Sequence, residues 1–231
     1  MEKISSVSEK TWIGKFLQSF LDTLQEANRS HEFLGFYNKG GRKRTILMLG
    51  TGAERRAGAI HKTLTTLYGR ELNLKPDKKN NIKNEISFDR YSDCIVYKEF
   101  GPAWDDWYRG EIYHDAVIEV ENNVKEFRGT FCDLLRIQGR HKVGIFYYGN
   151  AIDKEAFLSE RIKDVTDAMT YFNSKGFAEA EGTEYLVVLL PETLIDKDNF
   201  LGLAKKEKGI AWSKPLKDKE VWICMVGLLG R

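Results

Sequence analysis

The run His141–Gly149, HKVGIFYYG, constrains this chain more than any other feature. It is apolar at nearly every position, so it lacks the in-out alternation of a strand with one wet face. Such runs are buried in the middle of a sheet, covered on both sides. The chain can provide that cover: 231 residues, 42% of them hydrophobic, with only 20 Gly and 4 Pro, describe a folded globular protein rather than a disordered one.

Periodicity places the neighbouring elements. Trp12, Ile13, Phe16, Leu17, Phe20, Leu21 and Leu24 repeat at helical spacing, which predicts a helix over Ser8–Ala27 with Ser8 as a candidate N-cap. A turn-rich stretch, Asn38–Arg42, follows, and TILML (Thr45–Leu49) reads as a strand or a buried helical turn before a helical Ala53–Tyr68. After a Lys- and Asn-rich loop, Lys75–Asn84, the period shortens to two, and strands are expected at Asp93–Phe100 and Ile112–Asn122. Val124, Phe127, Phe131, Leu134 and Leu135 mark a helix closed by Gly139, ahead of the apolar strand. A further helix through Leu158, Ile162, Val165, Met169 and Phe172 ends near Gly176, and strands at EYLVVLLPE and EVWICMVGLLG complete the chain. The expected fold is one α/β domain, 1–231, with a central mixed sheet flanked by helices. The helix between the second and third strands permits a parallel crossover, and the Phe100–Ile112 link suits an antiparallel pair.

Charge and cysteine usage narrow the classes. With 36 Lys+Arg against 34 Asp+Glu the net charge is only +2, which excludes a protein that coats polyanions by bulk charge. No run reaches the ~18 apolar residues of a membrane span, and MEKISSVSEK has no apolar signal core, so a cytoplasmic protein without a membrane partner is expected. Cys94, Cys132 and Cys224 form no CxxC pair and read as buried apolar side chains.

The chemistry-bearing feature is DAVIEVEN, Asp115–Asn122. In a regular strand Asp115, Val117, Glu119 and Glu121 project to one face, and Ala116, Ile118, Val120 and Asn122 to the other. Carboxylates about 6 to 7 Å apart along a half-buried strand repel. A hard cation such as Mg²⁺ relieves them, as does a polar face with Lys or Arg from a neighbouring strand. Spacing alone leaves both open.

This D-x3-E-x-E-N strand, followed by an amphipathic helix and the apolar KVGIFYYG strand, resembles the core of the PD-(D/E)xK superfamily, the restriction-endonuclease-like nucleases, over about residues 87–149. The resemblance implies a Mg²⁺-dependent endonuclease acting on DNA, with Asp115, Glu119 and Glu121 catalytic and Asp115 and Glu119 on the metal. A homodimer would let one site per chain cut two strands. Glu119 takes the acidic position of the motif, and Glu121 stands where the family usually has Lys, in an E-x-E variant. Glu121 then becomes the general base, and Lys98 a candidate for the missing cation. Asp93 competes with Asp115 as the second acid; Asp105 and Asp106 are weaker, and Asn122 and Arg136 are supporting residues. The alternative is a nucleic-acid- or protein-binding regulator keeping the same core.

Other signals have plainer readings beside functional ones. Gly50, Gly52 and Gly58 with Arg55 and Arg56 resemble a phosphate loop only if a strand precedes them, and the spacing is not that of the dinucleotide fingerprint. Basic groups at Arg42–Arg44, at Lys75, Lys78, Lys79 and Lys83, at Lys205, Lys206 and Lys208, and at Lys214, Lys217 and Lys219 are phosphate contacts or solvated loops. Trp104–Tyr108 (WDDWY) offers base-stacking rings or a folded-over core loop. His61, His114 and His141 show no metal spacing.

Overall fold

The computed structural model describes residues 10–27, 31–50, 56–73, 85–87, 93–97, 114–149, 152–176, 182–194, 210–216 and 219–226. The apolar run becomes strand β4, Gly139–Tyr148, buried at every position but Arg140. Around it lie β1 (Ile86–Ser87), β2 (Cys94–Tyr97), β3 (His114–Glu121), β5 (Glu184–Pro191), β6 (Ile210–Leu216) and β7 (Lys219–Met225). Among the described residues these seven form one sheet in the order β1-β2-β3-β4-β5-β7-β6. The four inner strands β3, β4, β5 and β7 are parallel to their neighbours, and antiparallel pairs close both edges. The expected mixed sheet, with β2–β3 antiparallel and β3–β4 parallel, is what forms.

Both faces are covered by helices. On one side α1 (Trp12–Ala27), α2 (His31–Asn38), α3 (Gly41–Leu49) and α4 (Ala59–Tyr68) enclose Ala116, Ile118, Val120, Val143, Ile145, Tyr147, Leu186, Val188 and Cys224. On the other, α5 (Phe127–Arg136) and α6 (Lys154–Ser174) cover Val117, Phe146, Tyr148, Tyr185, Val187, Leu189 and Ile223. The odd and even residues of each inner strand thus feed separate cores, which is why β4 and β5 read as unbroken apolar runs.

Several boundaries move, each for a local reason. The first helix starts at Trp12, with the Thr11 hydroxyl accepting from the Gly14 N–H at 3.1 Å; Ser8 lies outside the described residues. TILML is helical, because Arg44 and Met48, four apart, both turn inward on α3. Gly139 opens β4 instead of closing the helix, whose C-cap is Ile137. Helix α6 is capped by Asp153, whose carboxylate accepts from the Glu155 and Ala156 N–H groups. Three strands and helices were not expected: α2, interrupted in sequence by Gly35, the two-residue strand β1, and β6, whose Pro215 is tolerated on an edge strand. No helix among the described residues is long and apolar enough to cross a membrane. Cys94 and Cys224 are buried, and no disulfide joins the cysteines among the described residues.

Candidate functional site

Strand β3 does not alternate regularly. Its pairing with β2 runs Val96↔Ala116 and then Tyr97↔His114, so Asp115 is an extra residue, a β-bulge. A one-residue slip exchanges the faces of the side chains on either side of it. Asp115 therefore turns toward α4, where the Tyr68 hydroxyl donates to its Oδ2 at 2.5 Å. Val117 faces the α5–α6 core, and by alternation so do Glu119 and Glu121.

This corrects the one-face reading of the three acids. Asp115 lies on the opposite side of the sheet from Glu119 and Glu121. Four residues of strand also separate it from Glu119 by about 13 Å. A Mg²⁺ ion binding its oxygens at about 2 Å cannot bridge that gap. Burial and the bond to Asp115 both hold the Tyr68 hydroxyl protonated, raising its pKa well above the usual phenol value.

Asp93 lies at the Glu119 end of β3. The antiparallel register pairs Cys94 with Ile118, so Asp93 falls one residue before the paired segment, and its charge acts on Tyr147 of the α1–α4 core. Its Oδ2 accepts the Val120 N–H at 2.7 Å, fixing the carboxylate at that end of β3.

One cation on the Glu119 face was missed from sequence. Lys142 of β4 pairs with Val117, two positions before the Glu119↔Gly144 pair, so it is a diagonal neighbour of Glu119. It is 1% exposed, and its Nζ donates to the Tyr185 hydroxyl at 3.3 Å. The signal was visible: a lone Lys in an otherwise apolar central strand must be compensated where it is buried. Lys98 lies outside the described residues, as do Asp105, Asp106 and the Trp104–Tyr108 loop.

Glu121 does structural work. Its Oε1 accepts the Asn123 N–H at 2.6 Å and its Oε2 the Thr130 hydroxyl at 3.4 Å, so it splints the turn from β3 into α5. Asn122 faces the other way, as alternation requires, and donates to the Thr45 hydroxyl of α3 at 2.6 Å. Arg136, at the far end of α5, pairs with Asp133 on the surface. Among the described residues no group of three or more His, Cys, Asp and Glu side chains is arranged to hold a metal ion.

The glycine-rich stretch loses its phosphate-loop context, because a helix and not a strand precedes it. Gly50 ends α3 with φ 69°, and a Cβ on Gly58 would lie 2.6 Å from the Leu49 carbonyl carbon. These two glycines let α4 cross close to the end of α3. Arg56 pairs with Glu71 on the surface, and Gly52 and Arg55 lie outside the described residues. Of the histidines, His141 stacks on Trp12 and contacts Glu184 at 2.7 Å, while His61 and His114 are buried with lowered pKa values, desolvation being the main cause.

Comparison with protein-family models, with curated proteins and with solved structures returned no match.

Proposed function

We propose that the chain is a Mg²⁺-dependent endonuclease acting on DNA, with its site at the end of the β2–β3 pair. The observation that carries this reading is the Val120 N–H bond to Asp93, which holds a second carboxylate at the Glu119 end of β3. Two carboxylates from adjacent strands match the usual holding of Mg²⁺ by one or two acids, with water and substrate phosphate oxygens completing its shell. Asp93 and Glu119 are the residues that would hold it. A bound ion there supplies a polarised phosphate oxygen and a water of lowered pKa.

The protein's own groups divide the remaining work. Lys142 offsets the negative charge of the acids from within the sheet, since its burial keeps it from reaching a substrate. Glu121 holds the turn that ends the acidic strand, and Asp115 belongs to the Tyr68 contact at the other end of it.

Incubating the purified chain and its Glu119→Ala variant with plasmid and linear DNA in Mg²⁺, Mn²⁺ or EDTA tests this. Metal-dependent cleavage by the wild type, lost in the variant, is expected. Cleavage no greater than that of the variant removes the catalytic reading and leaves a binding protein.

A further inference from the structure

The Arg42-Lys43-Arg44 cluster is split by the fold. Arg44 is buried, donating through Nε to the Tyr37 carbonyl at 3.2 Å and through Nη2 to the Glu192 carbonyl at 2.6 Å, with its guanidinium over the Tyr37 and Tyr147 rings. It is a structural tie between the α2–α3 corner and the end of β5. Arg42 and Lys43, one turn into α3, are exposed, and so is Lys39 at the end of α2. The Lys43 and Lys39 ammonium groups lie 4.8 and 5.9 Å from the centre of the half-buried Phe36 ring, which attracts and localises both. Among the described residues none of these three cations is in an ion pair with a carboxylate.

The position of this corner gives the patch its meaning. Thr45, three residues after Arg42, accepts from Asn122, the residue that follows β3. The Tyr37 hydroxyl donates to the Pro191 carbonyl at 2.7 Å, and Asn38 donates to that of Leu194 at 2.8 Å. The corner therefore sits over the carboxyl ends of β3 and β5, the end of the sheet that also carries Asp93 and Glu119.

We infer that Lys39, Arg42 and Lys43 form the surface that grips a nucleic-acid backbone and brings it to the end of the sheet that carries Asp93 and Glu119. Unpaired surface cations clustered at one corner suit a polyanion, whereas the whole chain, at +2, offers no general attraction. The placement beside the acids rests on the reading proposed above; the gripping surface does not.

The test is fluorescence anisotropy with a labelled DNA duplex in EDTA, so that no cleavage intervenes, over a range of salt concentrations. The Lys39→Ala/Arg42→Gln/Lys43→Ala variant is compared with wild type and with Lys163→Ala/Lys175→Ala, which removes two exposed cations of α6 on the other side of the sheet. Each lost phosphate contact lowers the slope of log K against log salt by about 0.9, so the corner variant should lose about 2 to 3 and bind at least about tenfold more weakly at moderate salt. The α6 variant should match wild type. An unchanged slope in a corner variant that keeps the wild-type circular dichroism and Tm overturns the inference. So does binding to vesicles of phosphatidylcholine and phosphatidylserine with none to the duplex. If the corner variant loses binding while no protein cleaves DNA, the surface stands and the nuclease reading falls.

Discussion

Acid should unfold this protein partly through one histidine. His114 is 6% exposed, and burial first, then the nearby Lys142 charge, pull its pKa down to about 4. An unfolded chain takes up that proton near pH 6.5, before the folded chain does. The folded pKa is depressed, so the contribution is intact above pH 6.5 and lost as the pH falls from 6.5 toward 4. With those two values, going from pH 7.5 to pH 4.5 costs about 2.5 kcal/mol. Carboxylates titrate over the lower part of this range, so the term is isolated by difference. His114→Leu keeps an apolar neighbour for Tyr97, whose ring centre lies 5.6 Å from the imidazole, and removes the proton site. Urea denaturation of both proteins at several pH values in this window is the assay. The stability of the variant relative to wild type should rise by about 2.5 kcal/mol on acidification. A difference that stays constant within about 0.5 kcal/mol would refute the assignment of a neutral, desolvated His114.

Three substitutions test the packing. Gly58→Ala places a Cβ 2.6–2.8 Å from backbone atoms of Met48, Leu49 and Gly50, none of which can step aside cheaply, and should cost at least about 2 kcal/mol, read as a fall in Tm. Gly35→Ala, with nothing within 4 Å of the new Cβ, should instead raise stability by about 0.5–1 kcal/mol through helix propensity. Arg44→Met orphans the Tyr37 and Glu192 carbonyls and should cost about 2–5 kcal/mol in urea, whereas Arg42→Met on the surface should change stability by no more than about 0.5 kcal/mol.

The inner sheet was legible because its strands are buried on both faces, and such strands advertise themselves as apolar runs. β3, β4, β5 and β7 all appeared near their observed positions, as did the helices α1, α5 and α6 with their apolar stripes. The α2–α3 corner was not legible. Gly35, Gly40 and Gly41 weaken its helical pattern, and what holds it is the buried Arg44 bridging to a strand 148 residues away. The candidate site failed at one point for a comparable reason. Strict alternation is a property of a regular strand, and the bulge at Asp115 is fixed by where β2 pairs, which no pattern within DAVIEVEN records. The same pairing brings Asp93 to the Val120 N–H, a bond between residues 27 apart that needs the register to be seen. Lys142 was within reach, as the one buried Lys of the otherwise apolar central strand.

We propose that Asp93, rather than Asp115, is the acid that acts with Glu119. Cleavage of plasmid DNA in Mg²⁺ by Asp93→Asn and Asp115→Asn, measured side by side, separates the two. Asp93→Asn should abolish metal-dependent cleavage, while Asp115→Asn should cut at close to the wild-type rate and lose only the stability of the Tyr68 contact. Cleavage that survives in Asp93→Asn and disappears in a folded Asp115→Asn would contradict it.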